Sequence, residues 1–184
     1  MADASSAMTA NRAIPLAGRL TGGPAVTIRP AEPCRRLALR ASADAVPLLS
    51  AALGIALPVK PKQSAGAKGR VALWLGPDEW LVIDEVGGDP VAECAGVKAL
   101  HSAVDVSHRN TAILVEGHGA ADVLNAGCPQ DLSLAAFPVG ACSRTLLGKI
   151  EIVLLRTGDN SFRLECWRSF SDYAFAFLAD AARG

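Results

Sequence analysis

Aromatic residues are scarce in this chain of 184 residues: they make up 5% of the sequence, whereas hydrophobic residues as a whole make up 51%. The core must therefore be built mainly from Ala, Val and Leu. An excess of charge is missing as well, because 18 Lys and Arg balance 18 Asp and Glu. We therefore expect neither a nucleic-acid partner nor a polybasic membrane contact. A near-neutral chain gains little solubility from self-repulsion, which favours a protein that works inside a complex.

Long apolar runs are absent too. No run approaches 18 consecutive apolar residues, so no membrane-spanning helix is predicted. The first thirty residues also lack the charged start and continuous apolar stretch of a signal peptide. The five cysteines are widely spaced and form no C-x-x-C pair, which argues against a disulfide framework or a zinc cluster. We therefore predict reduced, mostly buried thiols in a cytoplasmic protein.

The usual catalytic motifs are missing as well. The three histidines, His101, His108 and His118, form neither H-x-x-x-H nor H-E-x-x-H. No G-x-S-x-G, G-x-G-x-x-G or G-x-x-x-x-G-K-[ST] motif occurs. Cys128, before Pro129 in a predicted loop, and Cys142, after Gly140, have no telling partner in sequence that would mark a catalytic thiolate. The sequence therefore predicts no catalytic residue, no cofactor-binding residue and no metal ligand.

The most informative segment that is present runs over residues 71–84. Two apolar runs flank the turn Gly76-Pro77-Asp78-Glu79, which predicts a hairpin because Pro77 suits the second position of a type I turn. Both faces of the hairpin are apolar, so a helix layer, the other half of the protein or another chain must cover the surplus. Asp78 and Glu79 are interpreted as solvated turn residues or rim contacts rather than as an acid–base pair.

Hydrophobic periodicity predicts the order β-α-β-β-α-β followed by β-α-loop-β-β-α. Helices are predicted over residues 42–53, 89–100, 119–126 and 171–182, an exposed loop over 58–69, and an extended or flexible arm over 1–33. Each set of elements resembles a split βαβ unit. We therefore predict an α+β fold of two ferredoxin-like halves, about 34–109 and 110–184, packed together as one compact unit, 34–184.

A polar group follows the strand predicted at residues 103–107. Asp105, Ser107, His108 and Arg109 could form a binding site at a strand end. They could also form a turn whose side chains cap the backbone, and this second interpretation is favoured.

Several segments together resemble the gamma subunit of heterotetrameric sarcosine oxidase. The most specific is Trp74-Leu75-Gly76-Pro77-Asp78-Glu79-Trp80-Leu81. The others are residues 15–17, 57–58, 104–107 with Arg109, 140–149 and 168–170. They occur in the same order as in that family and extend over nearly the whole chain.

The resemblance implies a noncatalytic gamma subunit that stabilises a complex. The holoenzyme of this family oxidatively demethylates sarcosine to glycine and hydrogen peroxide, and the methyl carbon leaves as formaldehyde or methylenetetrahydrofolate. It is implied to carry FAD, FMN, NAD and zinc and to use tetrahydrofolate, with none of these bound by the gamma chain. The alpha subunit is the implied direct partner, and beta and delta complete the complex. The family-motif residues that could form an interface are Trp74, Gly76, Pro77, Asp78, Glu79, Trp80, Asp105, Ser107 and Arg109.

A broader resemblance links residues 105–108, 115–117 and 120–124 to the glycine-cleavage T-protein, a folate-dependent aminomethyltransferase. That family carries a Gly-Gly-hydrophobic-Asp-Asp run with a catalytic Asp. Here the corresponding strand, residues 147–153, contains no Asp and has Lys149 in place of a glycine. The chain is also about half as long as such an enzyme. The resemblance therefore implies that folate chemistry has been lost, and a stand-alone folate-binding or aminomethyltransferase-like protein of one-carbon metabolism is the alternative.

Overall fold

The structure is a computed structural model that describes residues 13–184. These residues form eleven strands, four α-helices and a short 3-10 turn, Arg168–Phe170. The strands are β1 (Thr21–Gly23), β2 (Val26–Pro30), β3 (Arg35–Ala41), β4 (Ser64–Ala67), β5 (Arg70–Gly76), β6 (Glu79–Asp84), β7 (His101–Asp105), β8 (Asn110–Glu116), β9 (Cys142–Leu147), β10 (Ile150–Gly158) and β11 (Ser161–Trp167). The helices are α1 (Val46–Leu53), α2 (Pro90–Cys94), α3 (Ala120–Asn125) and α4 (Ser171–Ala181).

The first half of the chain forms a five-stranded antiparallel sheet in the order β4-β5-β6-β3-β7. Because side chains alternate along a strand, Leu37 and Leu39 of β3 point to one face of this sheet. There they pack with Leu49 of α1, and with Trp80 and Val82 of β6. This buried cluster holds α1 and α2 against the sheet.

The second half forms a six-stranded antiparallel sheet in the order β1-β2-β8-β11-β10-β9. Ile113, Leu164 and Ile152 of three neighbouring strands pack against Leu124 of α3 and Leu178 of α4. This larger core covers one face of the sheet with helices. The two antiparallel sheets confirm the predicted α+β class.

The two sheets share one strand order. The run β9-β10-β11-β8-β2 of the six-stranded sheet corresponds, strand for strand, to β4-β5-β6-β3-β7 of the other. Its last member, β2, comes from the N-terminal region, and β1 adds one further strand outside it. Within the predicted extended or flexible arm over 1–33, residues 21–30 are extended strands of this sheet, and Ile28 fills the second-half core. Residues 1–12 of that arm lie outside the described residues.

The uncovered faces of the two sheets meet each other. Leu73, Leu81 and Ile83 of the hairpin formed by β5 and β6 pack there with Cys142 and Leu155 of the other half. We call these residues, together with Arg36, Arg163 and Glu165, the inter-sheet layer. The hairpin is therefore apolar on both faces because helices cover one face and the second sheet covers the other.

Several element boundaries differ from the prediction. Helix α1 begins at Val46 rather than at Ser42, because Pro47 suits a first helical turn, and it ends at Gly54 with φ 66° as expected. Helix α2 is capped by Asp89 as predicted but ends at Cys94, shortly before Gly96. The predicted loop over 58–69 contains β4, and the strand predicted at 103–107 is β7, two residues earlier. No helix in residues 13–184 has the length and apolar character that crossing a bilayer requires.

Candidate functional site

Charged residues in the inter-sheet layer join the two halves. On β11, Phe162 and Leu164 face the helices, so the alternating Arg163 and Glu165 face the other sheet. There Arg36 of β3 donates from Nε to Glu165 Oε2 at 2.6 Å, and Arg163 donates from Nε to Glu165 Oε1 at 2.8 Å. All three side chains are buried, so Glu165 holds two arginines in a dry environment.

The same surroundings shift several pKa values. Burial would lower the pKa of Arg163, but the charge of Glu165 and the hydrogen bond to it outweigh burial and raise that pKa. Burial raises the pKa of Cys142 to about 11 and, with the charge of Glu165, raises that of Cys166 to about 12. Both thiols are therefore protonated at neutral pH, which is unfavourable for a nucleophile.

The polar group after β7 forms a tight turn. Asp105 Oδ1 accepts hydrogen bonds from the main-chain N–H of Ser107, at 2.8 Å, and from its hydroxyl. Ser107 Oγ in turn accepts the main-chain N–H of Arg36 at 2.8 Å. The hydrogen bonds from Ser107 hold the pKa of the Asp105 carboxyl below its usual range. These contacts are those that the capping interpretation predicts.

The tip of the hairpin reaches across to the other half. Glu79 accepts a hydrogen bond from Arg40 at 3.0 Å and forms an ion pair with Arg144 of β9. The Arg144 guanidinium has a raised pKa, because it donates hydrogen bonds to Glu79. The Asp78 side chain, at the very tip, makes an exposed contact with Arg40 of the same half at 3.4 Å. Glu79 is thus the acidic residue of the tip that links the halves.

A narrow cleft opens where the two sheets separate at this end. It has a volume of about 160 Å³ and is bordered by Leu75, Glu79, Arg109, Arg144 and Trp167, among others. The Arg109 guanidinium lies 4.3 Å from the centroid of the Trp167 ring. Of the residues predicted from sequence, the structure thus brings Glu79 and Arg109 to one cleft, which the buried Trp80 borders from the first-half core. The cleft is smaller than the roughly 300–1,000 Å³ typical of small-molecule sites.

The other predicted residues lie in different surroundings. Gly76 and Pro77 form the turn itself, with Pro77 exposed. Trp74 is half-buried, and its Nε1 has no hydrogen-bond partner among residues 13–184. Trp80 is only 1% exposed and donates from Nε1 to the Pro58 carbonyl at 2.7 Å. Its side chain is therefore part of the first-half core.

A larger cleft, of about 430 Å³, opens at the opposite end of the inter-sheet layer. None of the predicted residues lines it. Arg156, which borders it, is buried, donates to the carbonyl oxygens of Leu132 and Asp159, and lies 4.4 Å from the Phe162 ring centroid. Arg156 therefore fixes the segment before β9 rather than presenting a free cation to the cleft.

Sequence reasoning missed Arg36, Glu165 and Trp167. Glu165 alternates with Arg163 along one predicted strand, and Arg36 lies on the polar face of another. Both patterns resemble the solvent face of a half-buried sheet. The only signal for Trp167 in the sequence was that an aromatic residue stands at the end of a predicted strand. Within residues 13–184 no group of three or more His, Cys, Asp or Glu side chains is placed to hold a metal ion.

The sequence of this chain is similar to those of known proteins. Residues 38–184 match the model of the sarcosine oxidase, gamma subunit family. The chain is 34% identical over 170 residues to sarcosine oxidase subunit gamma of Corynebacterium sp. (strain U-96), covering 90% of this chain and 83% of that protein. It is 36% identical over 138 residues to sarcosine oxidase subunit gamma of Arthrobacter sp., covering 72% and 67%.

Two solved structures are similar to the fold. One is the heterotetrameric sarcosine oxidase from Corynebacterium sp. U-96 in complex with pyrrole 2-carboxylate, with a TM-score of 0.83, 32% identity and coverage of 89% of this chain and 87% of that chain. The other is the glycine cleavage system aminomethyltransferase T from Bartonella henselae, with a TM-score of 0.63, 15% identity and coverage of 86% and 49%. The second likeness shows the aminomethyltransferase fold alone. The family match and the first structure together show that this chain belongs to the sarcosine oxidase gamma subunit family.

Proposed function

We propose that this chain is the gamma subunit of a heterotetrameric sarcosine oxidase and that its role is to stabilise the complex. The observation that carries the proposal is the match in fold and extent to a chain of such an assembly, with a TM-score of 0.83 over 89% of this chain and 87% of that one. The assembly would oxidatively demethylate sarcosine to glycine, hydrogen peroxide and either formaldehyde or methylenetetrahydrofolate.

A noncatalytic role is supported by the surroundings of the reactive side chains. The Cys142 and Cys166 thiols are buried with raised pKa values, which keeps them protonated. Glu165 and Glu79 are each held between two arginines, and Asp105 caps a turn. These groups are already engaged in holding the fold together.

The cofactors of the assembly, FAD, FMN, NAD and zinc, would lie on other subunits. The described residues do not fit a zinc ion, because none of their His, Cys, Asp and Glu side chains form a group of three or more. The cleft beside Glu79, at about 160 Å³, is also too small for a dinucleotide. The alpha subunit is the proposed direct partner, beta and delta complete the complex, and the proposed location is the cytoplasm.

The domain organisation is part of the same proposal. We infer that each half is a ferredoxin-like unit, because the order β5-β6-β3-β7 is that of a split βαβ sheet and β10-β11-β8-β2 repeats it. In the second unit the last strand comes from the N-terminal side of the chain. The two units, packed through the inter-sheet layer, would form one rigid body for a partner to bind.

Co-expression tests the proposed role. The chain expressed alone should show no flavin absorbance and no sarcosine-dependent peroxide. The alpha, beta and delta chains should lose yield or activity when this chain is omitted and recover when it is restored. Full assembly and activity of the other three without it would contradict the proposal.

The aminomethyltransferase fold favours one second candidate, a stand-alone folate-binding protein of one-carbon metabolism. Calorimetry of the isolated chain with tetrahydrofolate separates the two. We expect no measurable binding, because apolar residues and ion pairs fill the centre of the inter-sheet layer, between the two clefts at its ends. Tight binding would favour the second candidate.

A further inference from the structure

The five-stranded sheet ends at the edge strand β7, at the position where the other sheet has one further strand. In the six-stranded sheet the corresponding strand, β2, pairs on its outer side with β1. Strand β7 pairs only with β3, and within residues 13–184 no strand lies on its other side. The strand position that β1 occupies in one sheet is thus open in the other.

The outward-facing main-chain groups of β7 can be assigned from its ladder. Val106 donates its N–H to the Arg36 carbonyl at 2.9 Å, so the main-chain groups of Val106 face β3. Hydrogen-bonded residues alternate along an antiparallel ladder, so the main-chain groups of Val104 and Ser102 also face β3. His101, Ala103 and Asp105 therefore direct their N–H and C=O groups away from the sheet. No main-chain partner for these groups occurs in the described part of the chain.

The remaining edge strands carry features that prevent pairing. Strand β1 has only three residues, includes Gly22 and Gly23 and precedes Pro24. Strands β4 and β9 approach each other through a bridge between Gln63 and Ala141. Short strands, prolines and covered edges are common devices against unwanted pairing, and lysine on the strand is another. Strand β7 has none of them.

The surface around β7 is also apolar. Leu100 is 84% exposed and Val104 is 51% exposed. Asp105 is the one acidic side chain on the strand and lies 3.5 Å from the exposed Arg35 of β3, and no arginine or lysine lies on β7 itself. An added strand with an apolar residue beside Val104 and a basic residue opposite Asp105 would therefore complement the edge.

We propose that β7 receives an extended segment of another subunit of the assembly, which adds as an antiparallel sixth strand. This inference rests on the proposed function, and it deepens that function by naming a docking site and the form of its partner. Main-chain hydrogen bonds to His101, Ala103 and Asp105 would provide the binding, as in other cases of strand addition.

The start of this chain is a less suitable occupant. Ala13 lies beside the end of β7, where its carbonyl accepts from Arg168 at 2.6 Å and where it borders a cavity with Ser107 and His108. A segment leading to Ala13 along β7 would run parallel to that strand. Every strand pair in both sheets is antiparallel, which favours a segment of a different chain.

Hydrogen exchange at single-residue resolution tests the pairing. The full chain is measured alone and within the complex co-purified with the other sarcosine oxidase subunits. We expect exchange at the amides of His101, Ala103 and Asp105 to slow by about tenfold or more in the complex, and the amides of Ser102 and Val104 to change less because they already bond to β3. Uniform slowing across the strand would indicate simple coverage and would overturn strand addition, as would no change.

A proline substitution tests the consequence. Ala103→Pro removes an outward N–H and leaves the chain's own ladder intact, because an edge strand accepts proline where its N–H faces solvent. Leu146→Pro is the matched control, because the main-chain N–H of Leu146 also faces away from its sheet, on the edge strand β9. We expect Ala103→Pro to reduce co-purification with the partner subunits by about tenfold, and the control to assemble like the wild type. Equal assembly of both would overturn the inference, and the exchange pattern decides if Ala103→Pro fails to fold.

Other occupants give distinct results. Protection of the same three amides in the isolated chain that rises with concentration would assign the edge to a second copy and overturn the partner assignment. Protection in the isolated chain that is lost on deleting residues 1–12 would assign it to the chain's own start. Failure of the wild-type chain to co-purify with any subunit would overturn both the proposed function and this inference. Normal co-purification without the alternating pattern would overturn this inference alone.

Discussion

Two glutamates of this chain are held in the same way but in opposite surroundings. Glu165 lies between Arg36 and Arg163, and its side chain is 1% exposed. Glu79 lies between Arg40 and Arg144, and its side chain is 21% exposed. Each glutamate receives an arginine from the opposite sheet, so both contacts cross between the halves.

The two glutamates differ in their access to solvent, and this changes what each ion pair contributes to stability. In the dry inter-sheet layer, removing one charge leaves its partners buried without compensation, which is strongly unfavourable. At the wet rim, water and salt replace a lost partner, so a similar contact contributes little. The buried glutamate therefore fixes how the sheets pack, whereas the exposed one can change partners without loss of the fold.

The largest expected effect is that of Glu165→Ala. It leaves Arg36 and Arg163 buried without their shared carboxylate, and we expect the free energy of unfolding to fall by about 3–5 kcal/mol. Urea denaturation measures this, with Glu79→Ala as the matched control. A loss no larger than that of the control would mean that burial does not separate the two sites.

A second effect concerns Asp84, whose side chain is 0% exposed and which accepts a hydrogen bond from Arg70 Nε at 2.6 Å. Burial alone would raise the pKa of the Asp84 carboxyl. Hydrogen bonds from Arg70 and from the main-chain N–H groups of Gly88 and Val86, with the charge of Arg70, outweigh it and lower that pKa below its ordinary value of 3.8. The stability contributed by this carboxylate is therefore present above about pH 4 and is lost as pH falls through its lowered pKa.

Asp84→Asn tests this interior ion pair within a single half. We expect it to reduce the free energy of unfolding by about 1–3 kcal/mol at neutral pH and to flatten the loss of stability below about pH 4. Urea denaturation at several pH values measures both. Asp180→Asn, which changes an exposed pair, is the control and should alter neither. An unchanged acid profile in Asp84→Asn would assign the pH dependence elsewhere.

A smaller effect is expected for Arg109→Ala at the mouth of the narrow cleft. Losing the cation over the Trp167 ring should reduce the free energy of unfolding by about 0.5–1 kcal/mol. The change should appear in tryptophan fluorescence, and Arg109→Lys should retain part of the effect. Identical spectra for the wild type and Arg109→Ala would show that the contact is not formed in solution.

The smallest effect is expected for Glu79→Ala, at about 0.2–1 kcal/mol. In addition, the difference in free energy of unfolding between this variant and the wild type should shrink at high salt. In about 1 M salt the screening length falls to roughly 3 Å, so the ion pairs of Glu79 contribute less. Denaturation at low and high salt measures it. A salt-independent loss above that range would place Glu79 in a dry environment, like Glu165.

The sequence predicted those parts of the fold that depend on local signals. Asp89 accepts from the Ala92 N–H as the predicted helix cap, and the hairpin around Pro77 forms because its turn residues specify it. It did not predict the pairing of β2 with β8, because no local pattern identifies a distant partner strand. The burial of Glu165 was missed for a related reason: alternating charges mark one face of a strand but do not say whether water or a second sheet covers it.

In the candidate site, too, local contacts could be predicted from the sequence and long-range contacts could not. That Asp105 and Ser107 form a capped turn could be expected from their spacing, because an Asx turn joins residues two apart. The meeting of Glu79 with Arg144 and of Arg109 with Trp167 depends on how the two sheets pack. Trp80 shows the limit most directly, because its apolar surroundings in sequence fit a core and an interface equally well.

The pairing of β2 with β8 also governs the order of events during synthesis. Arg29 and Glu116, which are bonded across these strands, are 87 residues apart. At roughly 5–20 residues per second, the N-terminal strand leaves the ribosome about 4–17 s before its partner exists. During that interval Val26 and Ile28 have no native core to enter. Strand β2 is made before every strand of the five-stranded sheet but can be placed only after all of them have been made. Nascent chains stalled before β8 should therefore be especially prone to aggregation and dependent on chaperones.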